Sequence, residues 1–218
     1  MKRKERGAVL SELSGSRIVP VVVINNVDRA VGLGQALVAG GIPVAEVTLR
    51  TEAAPEAIRR MAANPDLLVG AGTVLNVAQV DKAAEAGARF IVSPGFSADV
   101  VRRAQQHDLP VFPGAVTPTE IMAALDLGLT TVKFFPANVY GGPAALRALG
   151  APFGQVQFIP TGGVSAANLG EYLSLPNVAS VGGSWMVPAD AVDAGDTATI
   201  ERLCREAATA SSTYAKAV

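Results

Sequence analysis

The sequence predicts an α/β fold, and more narrowly a single (β/α)₈ TIM barrel with a short N-terminal capping helix. Short runs rich in β-branched residues alternate eight times with alanine-rich helical patterns, which is typical of a parallel sheet. No break in composition marks a second domain, and 218 residues suffice for a small barrel. We therefore expect one domain over residues 1–218, with a capping segment at 1–16, the barrel at 17–210 and a C-terminal tail at 211–218.

The individual elements follow from residue type and capping. Strands are predicted at residues 18–24, 44–50, 67–71, 89–93, 110–112, 131–135, 157–160 and 178–181. Helices are predicted at residues 27–39, 54–63, 78–86, 98–106, 118–127, 143–149, 166–173 and 198–210. Each of six polar residues precedes a helix and can accept its free N–H groups, namely Asn26, Asn76, Ser97, Thr117, Ser165 and Asp196.

A doubly wound open sheet is the competing fold, and its usual signature is weak here. Such a sheet commonly carries a glycine-rich turn after its first strand, whereas this strand ends Ile24-Asn-Asn-Val-Asp28. The turn Gly70-Ala-Gly-Thr73 follows the third strand but lacks the third glycine of a dinucleotide site. The barrel is therefore favoured.

Composition excludes several classes of function. With 18 basic and 19 acidic residues there is no positive surplus to bind nucleic acid, and no apolar run is long enough to span a membrane. One Cys and one His make a zinc site or a Ser-His-Asp triad a poor expectation. No metal or cofactor is expected, and the missing targeting signal predicts a cytoplasmic protein.

One lysine stands apart from the other four. Lys2, Lys4, Lys82 and Lys216 lie in the tails or in a polar helical stretch, whereas Lys133 lies within the apolar run Thr131-Val-Lys-Phe-Phe-Pro136. Strand alternation points the Lys133 side chain into the barrel if Val132 and Phe134 pack against the helices.

The second strand places an acid and a base on the same inward face. Its alternation points the side chains of Glu46, Thr48 and Arg50 into the barrel, with Arg50 near the mouth. Buried charges are costly unless they are paired or used, so a structural ion pair is one interpretation and a catalytic site the other. Desolvation and a nearby Arg both favour a neutral Lys133 amine, the form that makes a Schiff base with a ketone.

Paired glycines follow the seventh and eighth strands. The segments Pro160-Thr-Gly-Gly163 and Gly182-Gly-Ser-Trp185 let backbone N–H groups approach an anion, as in many barrel phosphate sites. Tight turns also need glycine, but the two pairs together predict a phosphorylated ligand.

Six motifs in order resemble the 2-keto-3-deoxy-6-phosphogluconate (KDPG) / 4-hydroxy-2-oxoglutarate (KHG) aldolase family. They are Glu46-Val-Thr-Leu-Arg50, Gly70-Ala-Gly-Thr-Val74, Ser93-Pro-Gly95, Val132-Lys-Phe-Phe-Pro136, Pro160-Thr-Gly-Gly163 and Gly182-Gly-Ser-Trp185. The likeness runs from about residue 18 to residue 208.

This resemblance implies a class I, metal-independent aldolase that cleaves KDPG to pyruvate and D-glyceraldehyde 3-phosphate and acts as a homotrimer. It implies that Lys133 forms the Schiff base and that Glu46 is the general base and acid. The residues it implies for substrate binding are Arg50, Thr73, Pro94, Phe135, Thr161, Gly162, Gly163 and Ser184. The partners implied are a small keto acid and a phosphorylated aldehyde.

Several alternatives remain open from the sequence. The same core could prefer 4-hydroxy-2-oxoglutarate or the 6-phosphogalactonate epimer of KDPG. A phosphosugar isomerase or epimerase could use Glu46 as a base without covalent chemistry, and a phosphate-ligand binding protein would need no chemistry at all. Neither of these last two requires a lysine inside the barrel.

Overall fold

The computed structural model describes residue 9, residues 11–13 and residues 15–214, over which strands and helices alternate. The strands are β1 Ile18–Val22, β2 Val44–Thr48, β3 Leu68–Gly72, β4 Ile91–Val92, β5 Val111–Phe112, β6 Thr131–Phe134, β7 Gln157–Pro160 and β8 Val181–Gly183. The helices are α1 Ala30–Ala39, α2 Ala54–Ala62, α3 Val77–Glu85, α4 Ala98–Gln106, α5 Pro118–Asp126, α6 Gly142–Gly150, α7 Leu169–Leu173, α8 Ala189–Ala194 and α9 Thr197–Ser212.

The strands form a curved parallel arrangement, which confirms the α/β fold. Six strands share one sheet in the order β5-β4-β3-β2-β1-β8, and β6 pairs with β7. Isolated bridges join Gly114 to Lys133 and Thr161 to Gly182, next to the two gaps between these sheets. The carboxyl ends of the eight strands therefore lie at one end of the molecule, together with the loops that follow them.

Strand alternation divides the apolar residues into two cores. Ala45 and Val47 of β2 belong to the large cluster between the sheet and the helices. Val44 belongs to a smaller inner cluster that includes Phe90 and Phe112, whose rings meet edge to face with centroids 6.0 Å apart. The side chain two residues beyond Val44 on the same inner face is Glu46, so the acid lies above an apolar floor.

The predicted N-terminal capping segment, residues 1–16, lies mostly outside the described residues. Within it, residues 9, 11–13, 15 and 16 are helical, and Val9 and Leu13 pack into the inner cluster. These two side chains close the floor from the amino-terminal ends of the strands.

Most helix starts follow the predicted caps. Asn76, Ser97 and Thr117 accept N–H groups of α3, α4 and α5, and Thr117 forms a capping box with Glu120. Asn26 caps the 3₁₀ turn Val27–Arg29 that precedes α1, and Asp196 caps α9. The prediction for Ser165 is wrong, since its own N–H donates to Asn168 Oδ1 (2.8 Å) and α7 begins only at Leu169.

Other boundaries also differ from those predicted. Strands β2 and β6 end at Thr48 and Phe134, so Arg50 and Phe135 lie in the loops at the strand ends. β8 begins three residues later than expected, and α8 was not predicted because it is only six residues long. The final helix extends through residue 212, so the tail predicted at 211–218 begins inside it, and residues 215–218 lie outside the described part.

Candidate active site

Strands β2 and β6 bring two charged side chains together inside the arrangement of strands. Lys133 Nζ donates hydrogen bonds to Glu46 Oε1 at 3.0 Å and to Oε2 at 3.4 Å, across 87 residues of sequence. Both side chains are buried, with 4% of the Glu46 side chain and 7% of the Lys133 side chain exposed. The neighbours Val132 and Phe134 pack in the outer core, which is the facing that strand alternation predicts.

This contact pairs a proton donor with an acceptor in the interior. A buried charge without a partner is unfavourable by several kcal/mol or more, so the ammonium and the carboxylate stabilise one another. Transfer of one proton from Nζ to Glu46 would leave a neutral amine and a neutral acid, with no unpaired charge in the interior. The geometry therefore provides a nucleophile with an adjacent proton acceptor.

Above Lys133 lies an open cavity of about 280 Å³ at the carboxyl ends of the strands. Its lining includes Lys133 and six further residues predicted to bind substrate, namely Arg50, Phe135, Thr161, Gly162, Gly163 and Ser184. The Phe135 ring centroid is 5.3 Å from Lys133 Nζ, so one wall beside the amine is aromatic. Arg50 is exposed, and its guanidinium lies at the rim of the cavity.

Three predicted residues are not among those that line the cavity. Glu46 contacts Lys133, which does line the cavity. Thr73 is half-buried in the turn after β3 with φ of 56°, a left-handed conformation that is rare for a β-branched residue. Pro94 is half-buried, and its carbonyl packs against Gly114. The substrate contacts of Thr73 and Pro94 stay predictions.

The loop after β7 turns backbone N–H groups away from the neighbouring loop. The carbonyls of Thr161 and Gly162 accept hydrogen bonds from the amides of Ala137 and Asn138, at 2.8 and 3.1 Å. Because a trans peptide points its N–H opposite to its C=O, the amides of Gly162 and Gly163 point the other way. Both glycines have positive φ (94° and 79°) and line the cavity. Such a turn suits an anion.

Reasoning from the sequence missed several lining residues. Val21, Val23, Val187 and Pro188 contribute apolar surface to the cavity. Val21 and Val23 could have been found from the alternation of the first strand, which points every second side chain inward as on β2. The other two follow β8, where no chemical feature of the sequence distinguishes them from packing residues.

Other reactive side chains of the described residues lie elsewhere. Cys204 is fully buried in the outer core, and burial raises the pKa of its thiol to about 12. His107 ends α4, where its Nε2 lies 2.6 Å from Asp81 Oδ1. Within residues 9, 11–13 and 15–214, no three His, Cys, Asp or Glu side chains are grouped to hold a metal, and no helix there could cross a bilayer.

Comparison with protein families gives a match over most of the chain. Residues 9–203 match the model of the KDPG and KHG aldolase family. The KHG/KDPG aldolase of Escherichia coli K12 is 50% identical over 198 residues, which cover 90% of this chain and 93% of that protein.

Solved structures agree with this match. The 2-keto-3-deoxy-6-phosphogluconate aldolase of Zymomonas mobilis ZM4, crystallised with 3-phosphoglycerate, superposes with a TM-score of 0.88 at 43% identity and covers 93% of this chain and 96% of its own. The KDPG aldolase of Legionella pneumophila, with pyruvate captured as a covalent carbinolamine, gives 0.87 at 42% identity, covering 90% and 96%.

Proposed function

The chain belongs to the KDPG and KHG aldolase family, and we propose that it is a class I, metal-independent aldolase that cleaves KDPG to pyruvate and D-glyceraldehyde 3-phosphate. The observation that carries this proposal is the buried Lys133 amine, 3.0 Å from the Glu46 carboxylate at the floor of an open cavity. The pyruvate carbinolamine in the Legionella pneumophila relative supports the covalent route.

The reaction begins with Lys133. Its neutral amine adds to the C2 ketone to give a carbinolamine. The proton that Glu46 took from Nζ leaves with the hydroxyl as water, which gives a protonated imine that draws electrons from C3 and leaves Glu46 as a carboxylate. Glu46, acting through a water, accepts the proton of the C4 hydroxyl as the C3–C4 bond breaks. D-Glyceraldehyde 3-phosphate leaves, and the C3–C4 electrons form an enamine with the Lys133 nitrogen.

The second half of the reaction returns the enzyme to its starting state. Glu46 gives the proton back to C3 of the enamine, which restores the imine. Water then adds to C2 and the carbon–nitrogen bond breaks. Pyruvate is released, Lys133 is again a free amine, and the remaining proton returns to Glu46. Between cleavage and protonation of C3, Glu46 thus accepts and returns one proton, and its contact with Lys133 Nζ keeps it beside the reacting carbons.

The remaining lining residues orient the substrate. The Arg50 guanidinium at the rim, with Thr73, would hold the C1 carboxylate, Phe135 would pack on the pyruvyl carbons, and Pro94 would contact the same end of the substrate. The distal hydroxyls and phosphate would meet Thr161, Gly162, Gly163 and Ser184. The 3-phosphoglycerate in the Zymomonas mobilis relative supports a phosphorylated ligand.

The proposal extends to architecture and assembly. We infer that the strands close into a single eight-stranded barrel domain, because bridges Gly114–Lys133 and Thr161–Gly182 lie next to both gaps between the sheets. A homotrimer in the cytoplasm is the assembly that the family resemblance implies. Exposed apolar side chains such as Leu75 and Met122 would be available for it. Light scattering coupled to gel filtration would measure the assembly directly.

Reductive trapping tests the proposed chemistry. Sodium borohydride added with pyruvate should leave a reduced pyruvyl adduct on Lys133, located by peptide mass spectrometry. Lys82, exposed on α3, serves as the matched control, so Lys82→Met should retain both the adduct and the cleavage of KDPG. An adduct on another lysine, or none, would show that the proposed mechanism is wrong.

Relative rates on related substrates test the choice of substrate. Cleavage should be fastest for KDPG and slower for 4-hydroxy-2-oxoglutarate, which lacks the phosphate that the glycine loops would bind. A higher rate on the 6-phosphogalactonate epimer would reassign the substrate and leave the chemistry of Lys133 unchanged.

A further inference from the structure

The inner face of β3 carries two glycines where the neighbouring strand carries side chains. Gly70 lies in register with Glu46 of β2, and Gly72 lies in register with Thr48. Neither glycine has a positive φ, so the backbone at both positions is one that alanine adopts without strain. These positions lack side chains for reasons of space.

Each glycine makes room for one neighbour. A Cβ on Gly70 would overlap the ring of Phe90. A Cβ on Gly72 would lie 2.5 Å from Cγ and 2.7 Å from Cδ of Glu46, and still closer to Oε1. The three nearest heavy atoms at position 72 are therefore all atoms of the Glu46 side chain.

The Glu46 side chain leans toward the carboxyl end of the strands. It starts opposite Gly70, yet its carboxylate occupies the space above Gly72, two residues further along β3. The space at Gly70 is filled by the Phe90 ring, so the carboxylate has no equivalent place lower down. In the position it occupies, Oε1 meets Lys133 Nζ.

We propose that Gly72 is a positioning residue for the reaction, because its missing side chain sets where the Glu46 carboxylate meets Lys133. The inference rests on the proposed function, in which Glu46 transfers the protons. A methyl group at position 72 would overlap the carboxylate and push it away from Nζ, while Lys133 and the cavity lining would keep their places.

Two substitutions test this proposal together, one that adds a methyl group at position 72 and one that shortens the side chain at position 46. Gly72→Ala should lower kcat for KDPG by at least about 100-fold, the range in which a misplaced general base is felt. Glu46→Ala should also lower kcat, because it removes the proton acceptor. It removes Cγ, Cδ and Oε1 as well, the atoms that the methyl would overlap, so adding Gly72→Ala to Glu46→Ala should change kcat by less than about threefold. The difference between the two backgrounds is the coupling between the positions.

Gly70→Ala supplies the matched control on the same strand and face. Its methyl meets Phe90 instead of Glu46, so Glu46→Ala should not reduce its effect. Phe90→Leu should raise the unfolding temperature of Gly70→Ala and lower that of Gly72→Ala, where it only opens a cavity. Circular dichroism and thermal unfolding of each variant separate a loss of fold from a loss of kcat.

Each outcome has a defined meaning. Wild-type kcat in Gly72→Ala, or an equal loss in both Glu46 backgrounds, would overturn the inference. If Gly72→Ala fails to fold and the double variant folds, the space belongs to Glu46 as proposed; if neither folds, it does not. The proposed function fails separately, when pyruvate is not trapped on Lys133 or Glu46→Gln is fully active with Gly72 in place.

Discussion

Two ion pairs of this chain have similar chemistry and lie in different surroundings. Lys133 Nζ lies 3.0 Å from Glu46 Oε1, and the two side chains are 7% and 4% exposed. Arg103 Nε lies only 2.6 Å from Asp81 Oδ1, but those side chains are 37% and 31% exposed. Water and salt screen the shorter contact. Burial, and not distance, therefore decides which pair has the stronger electrostatic interaction.

The comparison explains why the inner pair indicates function. Two apolar side chains of similar volume would fill the same interior at equal or greater stability, because a buried ion pair rarely recovers its desolvation cost. The outer pair joins α3 to α4 at the surface, where a charge costs little. A buried Lys–Glu pair beside an open cavity therefore fits chemistry better than it fits stability.

Removal of the amine from the buried pair should give the largest effect. Lys133→Met should abolish cleavage of KDPG and, by leaving the Glu46 carboxylate buried without a partner, lower the free energy of unfolding by about 3–5 kcal/mol. Enzyme assay and urea unfolding measure the two losses.

A second substitution shows whether the unpaired charge causes that instability. Lys133→Met combined with Glu46→Leu should recover most of the lost stability and none of the activity. A double variant no more stable than Lys133→Met would mean that packing, and not the buried carboxylate, determines the cost.

Exchange of the buried carboxylate for an amide should give the next largest effect. Glu46→Gln keeps the side chain's shape, so the fold and the slow trapping of pyruvate on Lys133 should remain, while kcat falls about 10²–10⁴-fold with the loss of proton transfer. Rates of KDPG cleavage set beside the yield of borohydride adduct measure both. A variant that also loses the adduct would show that Glu46 is needed for imine formation as well.

Strand alternation was enough to predict the inward facing of Glu46 and Lys133 from the sequence. Their apolar neighbours Val47 and Val132 show the period of two that an outer core requires. Alternation alone does not predict the direct contact between them, because that contact depends on how β2 and β6 are placed across the interior.

The role of Gly72 was also hidden in the sequence. A glycine in a strand reads as a turn or a weak position, and only the placement of the Glu46 side chain shows what the missing Cβ admits. Helix α8 was missed for a different reason, since six residues carry too little periodicity to distinguish a short helix from a loop.

The same change from carboxylate to amide at the surface should give the smallest effect. Asp81→Asn should leave cleavage of KDPG unchanged and lower the unfolding temperature slightly at neutral pH, less in high salt than in low salt. Hydrogen bonds from Arg103 and then from His107 hold the pKa of Asp81 below its ordinary value.

A carboxylate with a lowered pKa stabilises the folded state at every pH above the ordinary Asp pKa of about 3.9. That stabilisation is lost as the pH falls through the pKa of the folded state. The unfolding temperatures of wild type and Asp81→Asn should therefore differ at pH 7 and converge in acid. A loss of activity in Asp81→Asn, or a gap that widens in acid, would mean that burial does not separate the two ion pairs.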